Sequence, residues 1–405
     1  MRVLFLSGSG EMGGAERSLL DIVWSLRQAK PSWPLHVTMP ADGPLAPAVE
    51  ALGASVAVLQ LGPELSRLGE PFGAAAGSRA ELVAKLARAL APLADYRRRL
   101  RAHIRALSPD ILHTHGLKTH LLAAWSNPGA ASVIWHLHDY VGRRPATAGL
   151  LRRSLRRCTA IIANSLSVAE DARTTFGERV PIVPVLNAVN LARFAPEGPR
   201  AALDAVPGAP AVAPGALRVG LLATFAKWKG HLTFLDACAQ LPRELVVHAY
   251  VIGGPVYHTD NSQRSLEELQ AHAAHCGIAD RVTFCGFVPE ADAVLRALDI
   301  VVHASTEPEP FGLVIAEAMA CGRAVIVADA GGARELVTPG VDALVHAPGD
   351  VAALSARIQE LAADASMRGR LGAAARVTAV RRFDRGRLAS ELLPVYARAR
   401  VKADA

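Results

Sequence analysis

The chain has 405 residues, 51% of them hydrophobic and 20% charged, with 44 Lys+Arg against 37 Asp+Glu for a net charge of +7. That length allows two or three domains with cores of their own, and the apolar content excludes a disordered chain. The five cysteines (Cys158, Cys238, Cys276, Cys285 and Cys321) are odd in number and contain no C-x-x-C pair. This argues against a disulfide scaffold or a cysteine-based zinc site and for a reducing compartment. Split by position, residues 1–195 carry a balance of +9 and residues 196–405 a balance of −2. The first half therefore suits an anionic partner: nucleic acid, an anionic membrane surface or a phosphorylated substrate.

The opening apolar run Val3-Leu4-Phe5-Leu6 is too short for a signal-peptide core, and no later stretch reaches the ~20 apolar residues of a membrane span. The expected location is the cytoplasm. From there, short apolar runs alternate with longer helical patterns. Strands are predicted at 2–7, 35–39, 55–58, 110–113, 132–137, 159–163 and 181–185, with helices at 14–29, 79–107, 117–126 and 165–176 between them. Pro196-Glu197-Gly198-Pro199 and the Ala/Pro/Gly-rich 205–216 interrupt the series, which resumes with strands at 217–223, 245–252, 282–285, 299–303 and 324–328. The implied α/β architecture is two Rossmann-like domains with parallel sheets facing a cleft: 1–195, a linker at 196–216, and 217–384. A last helix over 385–405 is expected to pack back on the first domain.

Gly8-Ser9-Gly10-Glu11-Met12-Gly13 satisfies G-x-G-x-x-G after the first strand, but the second strand ends Val37-Thr38-Met39-Pro40 without the acid that a dinucleotide site needs. Gly13 and Gly14 remain as the start of a helix, where bare N–H groups suit a phosphate or sugar hydroxyls; a tight turn alone is the plainer alternative. Further on, Glu309 and Glu317 bracket a short apolar segment. Pro310 favours the first helical position, which would put Glu309 at the helix mouth and Glu317 two turns down, ~12 Å along the axis. That is long for paired glycosidase carboxylates. The mouth would offer the N–H groups of Gly312, Leu313 and Val314 to anionic oxygens.

This stretch resembles the E-x7-E region of retaining GT-B glycosyltransferases of the family-4 type. The resemblance runs over residues 8–390, through Gly13-Gly14-Ala15-Glu16, His113-Thr114-His115-Gly116, His136-Leu137-His138-Asp139, Asn164-Ser165, the segment from Asn187 to Phe194, Lys229-Gly230, Gly286-Phe287-Val288-Pro289 and Gly331-Gly332-Ala333-Arg334-Glu335. It implies transfer of a sugar with retention, from a nucleotide-diphosphate sugar (UDP-sugar first, GDP-sugar next) to a glycan, lipid-linked or small-molecule acceptor. It implies no metal and no cofactor beyond that donor. On the matching positions, Lys229, Glu309 and His138 take catalytic roles. Gly13, Gly14, Thr224, Lys227, Lys229, Val288, Glu309, Phe311, Gly312, Leu313, Val314 and Glu317 become donor-binding, with Glu317 on the ribose. One departure stands out: the family's diphosphate-binding Arg is replaced by Thr224, so Lys227 or a hydroxyl must supply the second contact. A nucleotide-sugar epimerase of similar shape, or a binding protein without turnover, are the rivals.

Tyr96 to Arg105 and Leu151 to Arg157 add basic clusters to the first half; the helix carrying the former has Leu82, Leu86, Leu90 and Leu93 on its expected apolar side. At about 1 kcal/mol per Lys or Arg near an anionic bilayer, such clusters support peripheral membrane contact, against the alternative of an ordinary solvated face. No nucleic-acid module is recognisable.

Overall fold

The computed structural model describes residues 1–66, 79–129, 131–255 and 262–403. The chain divides into two units of its own contacts, Met1–Ala188 with Arg385–Ala405, and Val189–Asp384.

In the first unit, seven strands form one parallel sheet: β1 (Val3–Leu6), β2 (Leu35–Met39), β3 (Ser55–Val58), β4 (Ile111–His115), β5 (Ser132–Leu137), β6 (Ala160–Ala163) and β7 (Ile182–Pro184). Their order is β3-β2-β1-β4-β5-β6-β7. β1, β4, β5 and β6 are buried along their whole length, which is why they read as unbroken apolar runs instead of alternating ones. The helix Leu166–Phe176 starts where Ser165 accepts from the Val168 N–H. The last helix, Leu388–Ala403, lies in this unit: Leu388, Leu392 and Tyr396 are buried with Val3, Phe5 and Ile134 of the sheet.

The long helix Arg79–Leu107 turns Ala89, Tyr96, Leu100 and Ile104 into the core, with Leu93 packed against them. Leu90, expected on the apolar side, is 65% exposed; it sits about 100° round the helix from Ala89. The side chains of Leu82 and Leu86 lie outside the described ones. Tyr96, which opens the basic run, is core.

The second unit holds six parallel strands: β8 (Leu217–Leu222), β9 (Val247–Ile252), β10 (Val282–Gly286), β11 (Ile300–His303), β12 (Ala324–Ala328) and β13 (Leu344–His346). Their order is β10-β9-β8-β11-β12-β13, and the short β13 has no counterpart in the sequence expectations. Residues 196–216, read as a linker, pack within this unit. The short helix Leu203–Ala205 brings in Asp204, which accepts from the Arg218 guanidinium and from the Tyr250 hydroxyl, and Arg296 donates to the Pro199 carbonyl at 2.7 Å. Both sheets present the carboxyl ends of β1, β4, β8 and β11 at their centres, where ligands bind in open α/β sheets.

Candidate functional site

β8 ends at Leu222, and the chain runs through Thr224 into the 3-10 turn Lys227–Lys229. Gly230 closes that turn at φ 74°, a left-handed conformation that favours glycine. Its missing side chain matters more than its freedom: a Cβ there would stand 1.8 Å from the Ala304 carbonyl oxygen. The turn is thus pressed onto the chain just beyond β11, and the Thr306 N–H fastens it by donating to the Trp228 carbonyl at 2.8 Å. Gly253 does the same at the end of β9, where a Cβ would meet the Ala223 carbonyl oxygen at 1.9 Å.

This approach brings Lys229 to Glu309. The ammonium donates to both carboxylate oxygens at 2.8 and 2.7 Å, and the Ser305 hydroxyl donates to one of them at 3.0 Å. His303 Nε2 lies 3.5 Å from the same oxygen. Burial pushes the Glu309 carboxyl up, but the Lys229 charge and the His303 contact outweigh it and hold the group well below the usual carboxylate range. Glu309 is therefore an anion and Lys229 a cation with a fixed position. Neither His303 nor Ser305 was singled out from the sequence. The signal was present: His303 ends a buried strand and Ser305 follows it, six and four residues before Glu309.

Glu309 does not sit at the mouth of a helix. The helix starts at Leu313 and runs to Ala320, capped by Gly312 at φ 92°. Before it, Glu309 is in extended backbone: the Gly332 N–H donates to its carbonyl at 2.7 Å in a bridge between the two segments. Pro310 is therefore not the first helical residue. Glu317 is the fifth residue of the helix, about one turn in instead of two, and it is buried at 7% exposure. Leu313 and Val314 open the helix, so their N–H groups have no acceptor within it. Phe311 is turned into the core against Phe383, which leaves only its backbone to face a ligand. Thr224 and Val288 are half-buried, Lys227 is exposed, and Phe287 beside Val288 is exposed.

In the first unit, Gly13 caps the helix Gly14–Ala29. Its N–H is not bare: it donates to the buried Glu16 carboxyl, whose pKa burial raises.

At the carboxyl ends of β4 and β5, His113, His115, His136 and His138 stack, with neighbouring ring centroids 4.3–5.3 Å apart. His138 Nε2 is 2.9 Å from His115 Nδ1, and His113 Nδ1 is 2.7 Å from the Tyr396 hydroxyl. Burial lowers all four, His138 to about 4 and the others well below their ordinary value, so the stack is neutral at pH 7. Within the described residues the Nδ1 of His138 has no hydrogen-bond partner. Ligand atoms of His113, His115 and His136 lie within 4.8 Å of one another, but the His113 ring lies within 25° of parallel to each of the other two. Parallel rings point their lone pairs side by side; a metal needs them convergent.

The basic runs are partly spent on the protein itself. Arg97 donates to the Trp125 carbonyl, Arg98 and Arg99 to Asp95, Arg152 to the Thr175 carbonyl and Arg157 to the Ala124 carbonyl. Arg152, Arg153, Arg156 and Arg179 line a surface recess of about 860 Å³. No helix among the described residues is long and apolar enough to cross a membrane.

Two family models match the chain, Glycosyltransferase Family 4 over residues 12–193 and Glycosyl transferases group 1 over 213–378. It is 34% identical to the D-inositol 3-phosphate glycosyltransferase of Xylanimonas cellulosilytica over 59% of this chain and 57% of that one, less than two-thirds of the relative's length. It is 31% identical to the lipopolysaccharide core biosynthesis mannosyltransferase LpsB of Rhizobium meliloti, over 63% of this chain and 75% of that one. Among solved structures it is similar to Anabaena HepE in complex with UDP-glucose, with a TM-score of 0.77, 25% identity, and coverage of 98% of this chain and 99% of the other. The two parallel sheets are those of the GT-B glycosyltransferases, and the chain belongs to the family-4, group 1 glycosyltransferases.

Proposed function

We propose that the chain is a retaining hexosyltransferase that moves a sugar from a nucleotide-diphosphate sugar, a UDP-sugar first, to a glycan or lipid-linked acceptor in polysaccharide assembly. The Lys229–Glu309 pair and the helix that starts at Leu313 support this reading: one fixed cation and a set of N–H donors are the groups a diphosphate requires. UDP-glucose in HepE favours uridine as the base.

In the transfer, the bond from the anomeric carbon to the diphosphate breaks and a bond to the acceptor oxygen forms on the same face. The acceptor's proton passes to a phosphate oxygen of the departing nucleoside diphosphate. Negative charge grows on that phosphate, and Lys229 with the N–H groups of Leu313 and Val314 stabilises it without reorganising. Glu309 fixes Lys229 and accepts from hydroxyls of the sugar, and Glu317 takes the ribose. His138, neutral at pH 7, contacts the transferred sugar near the reaction centre. No step calls for a metal. The four-arginine recess suits an anionic acceptor or the membrane surface that carries it.

The test is a thermal-shift panel of nucleoside diphosphates followed by NMR of the anomeric product from the best donor. Stabilisation by one diphosphate and a product of retained configuration are expected. An inverted product, or an altered donor sugar formed without any acceptor, overturns the proposal.

A further inference from the structure

A second cluster of chemistry-bearing side chains lies away from Lys229 and Glu309. Asp236 is on the helix His231–Ala239, His272 is in the last turn of the helix Leu266–His275, and Cys276 caps that helix. His272 and Cys276 are four residues apart, so the helix sets both on one face, and Asp236 meets them from the neighbouring helix.

The three contacts all involve the same three atoms. His272 Nε2 is 2.6 Å from Asp236 Oδ1, Cys276 Sγ is 3.5 Å from that oxygen, and Cys276 Sγ is 3.6 Å from that nitrogen. A nucleophilic triad is excluded by this pattern, because there the histidine uses opposite nitrogens for its two partners. Here one nitrogen, one oxygen and one sulfur lie within 3.6 Å of one another.

Two of those separations match the edges of a coordination tetrahedron. Zn–S of about 2.3 Å with Zn–N and Zn–O of about 2.0–2.1 Å place sulfur about 3.5 Å from each of the other two ligands, and nitrogen about 3.3 Å from oxygen. The two sulfur edges are already in place, and the His272–Asp236 edge needs to open by about 0.7 Å. All three residues are half-exposed, so an ion can reach them and a water can complete the fourth position. The absence of C-x-x-C spacing does not bear on this site, since its ligands are spaced by a helical turn and by a second helix.

We propose that Asp236, His272 and Cys276 form a zinc site that clamps the helix following the Lys229 turn to its neighbour. Binding takes the thiol as thiolate: one proton leaves Cys276 as the Zn–S bond forms, and no oxidation state changes. That proton passes to solvent, so binding should strengthen as pH rises. The role is to fix the two helices, which share the core of Leu235, Leu269 and Ala273, and the transfer chemistry does not pass through it.

The full chain, stripped of metal, is titrated with Zn²⁺ alone and then with Co²⁺ alone. One equivalent of Zn²⁺ should bind and protect Cys276 from iodoacetamide by peptide mass spectrometry, and Co²⁺ should give a thiolate-to-metal absorption band. Cys276→Ser should abolish the band, Asp236→Asn should weaken binding at least tenfold, and Cys285→Ser should change neither. Full-strength binding by Cys276→Ser, or alkylation of wild-type Cys276 unaffected by Zn²⁺, overturns the proposal.

Discussion

Replacing Lys229 with Met separates the structural from the functional part of the Lys229–Glu309 pair. At 2.7–2.8 Å the gross attraction at an effective dielectric of 20 is about 6 kcal/mol, part of which offsets the desolvation of both ions. Removing one partner of a buried pair typically costs about 3–5 kcal/mol; because the Lys229 side chain is 22% exposed, about 2–4 kcal/mol is expected here. For a unit of this size that lowers the melting temperature by roughly 4–16 °C.

The loss should depend on pH in a defined direction. Wild-type Glu309 has a depressed folded value, so its contribution is complete above the unfolded carboxylate range and is lost only as pH falls well below it. In Lys229→Met, burial is opposed only by the weaker His303 contact and the carboxyl rises. The unfolded state then binds fewer protons than the folded one, and stability falls as pH increases. The deficit against wild type should therefore be larger at pH 7.5 than at pH 5. Adding Glu309→Gln should restore most of the stability, since the amide keeps the Ser305 bond, but not transfer from the donor sugar. Equal melting temperatures for wild type and Lys229→Met across this range would falsify the pairing argument.

Gly230→Ala should cost at least 2–3 kcal/mol by urea melts, about 1–2 from the left-handed backbone and the rest from moving the Ala304 carbonyl, and should reduce turnover by displacing Lys229; a fully stable and active variant would refute the close approach. His113, His115, His120, His136 and His138 stay neutral in the folded state, so the unfolded state takes up more protons below pH 6.5. Stability should fall between pH 6.5 and 4 by up to about 1.4 kcal/mol per pH unit for each histidine, and mutating His120 should flatten the slope. Glu317→Gln should weaken donor binding in calorimetry by about 10–100-fold, the range of a hydrogen bond to a charged group, with unchanged affinity counting against the ribose role.

Most of the strand and helix positions could be read directly, because parallel strands buried on both faces leave unbroken apolar runs between amphipathic helices. The helix at Glu309 could not. Pro310 signals a helical start, but the Gly332 N–H holds the Glu309 carbonyl in a bridge, and only Gly312 can take the φ that begins the helix. Leu90 is exposed for a simpler reason: small Ala89 and polar-tipped Tyr96 share the buried stripe with Leu100 and Ile104, and a leucine-only pattern does not mark them. The Lys229–Glu309 pair bridges 80 residues and depends on the carbonyl contact at Gly230, which no local pattern reports.

Tyr396 and Leu392 fill the sheet of β1, β4 and β5, and the Ser132 hydroxyl donates to the Ala399 carbonyl at 2.9 Å. A nascent chain meets these partners in an awkward order. His113 leaves the ribosome 283 residues before Tyr396, roughly 15–60 s at ordinary elongation rates. The later-starting unit, contiguous from Val189 to Asp384, can close its core first, while the earlier one waits with an uncovered apolar face. That interval is when a holdase has something to bind, and when premature termination near residue 384 would release a chain with one finished unit and one that cannot finish.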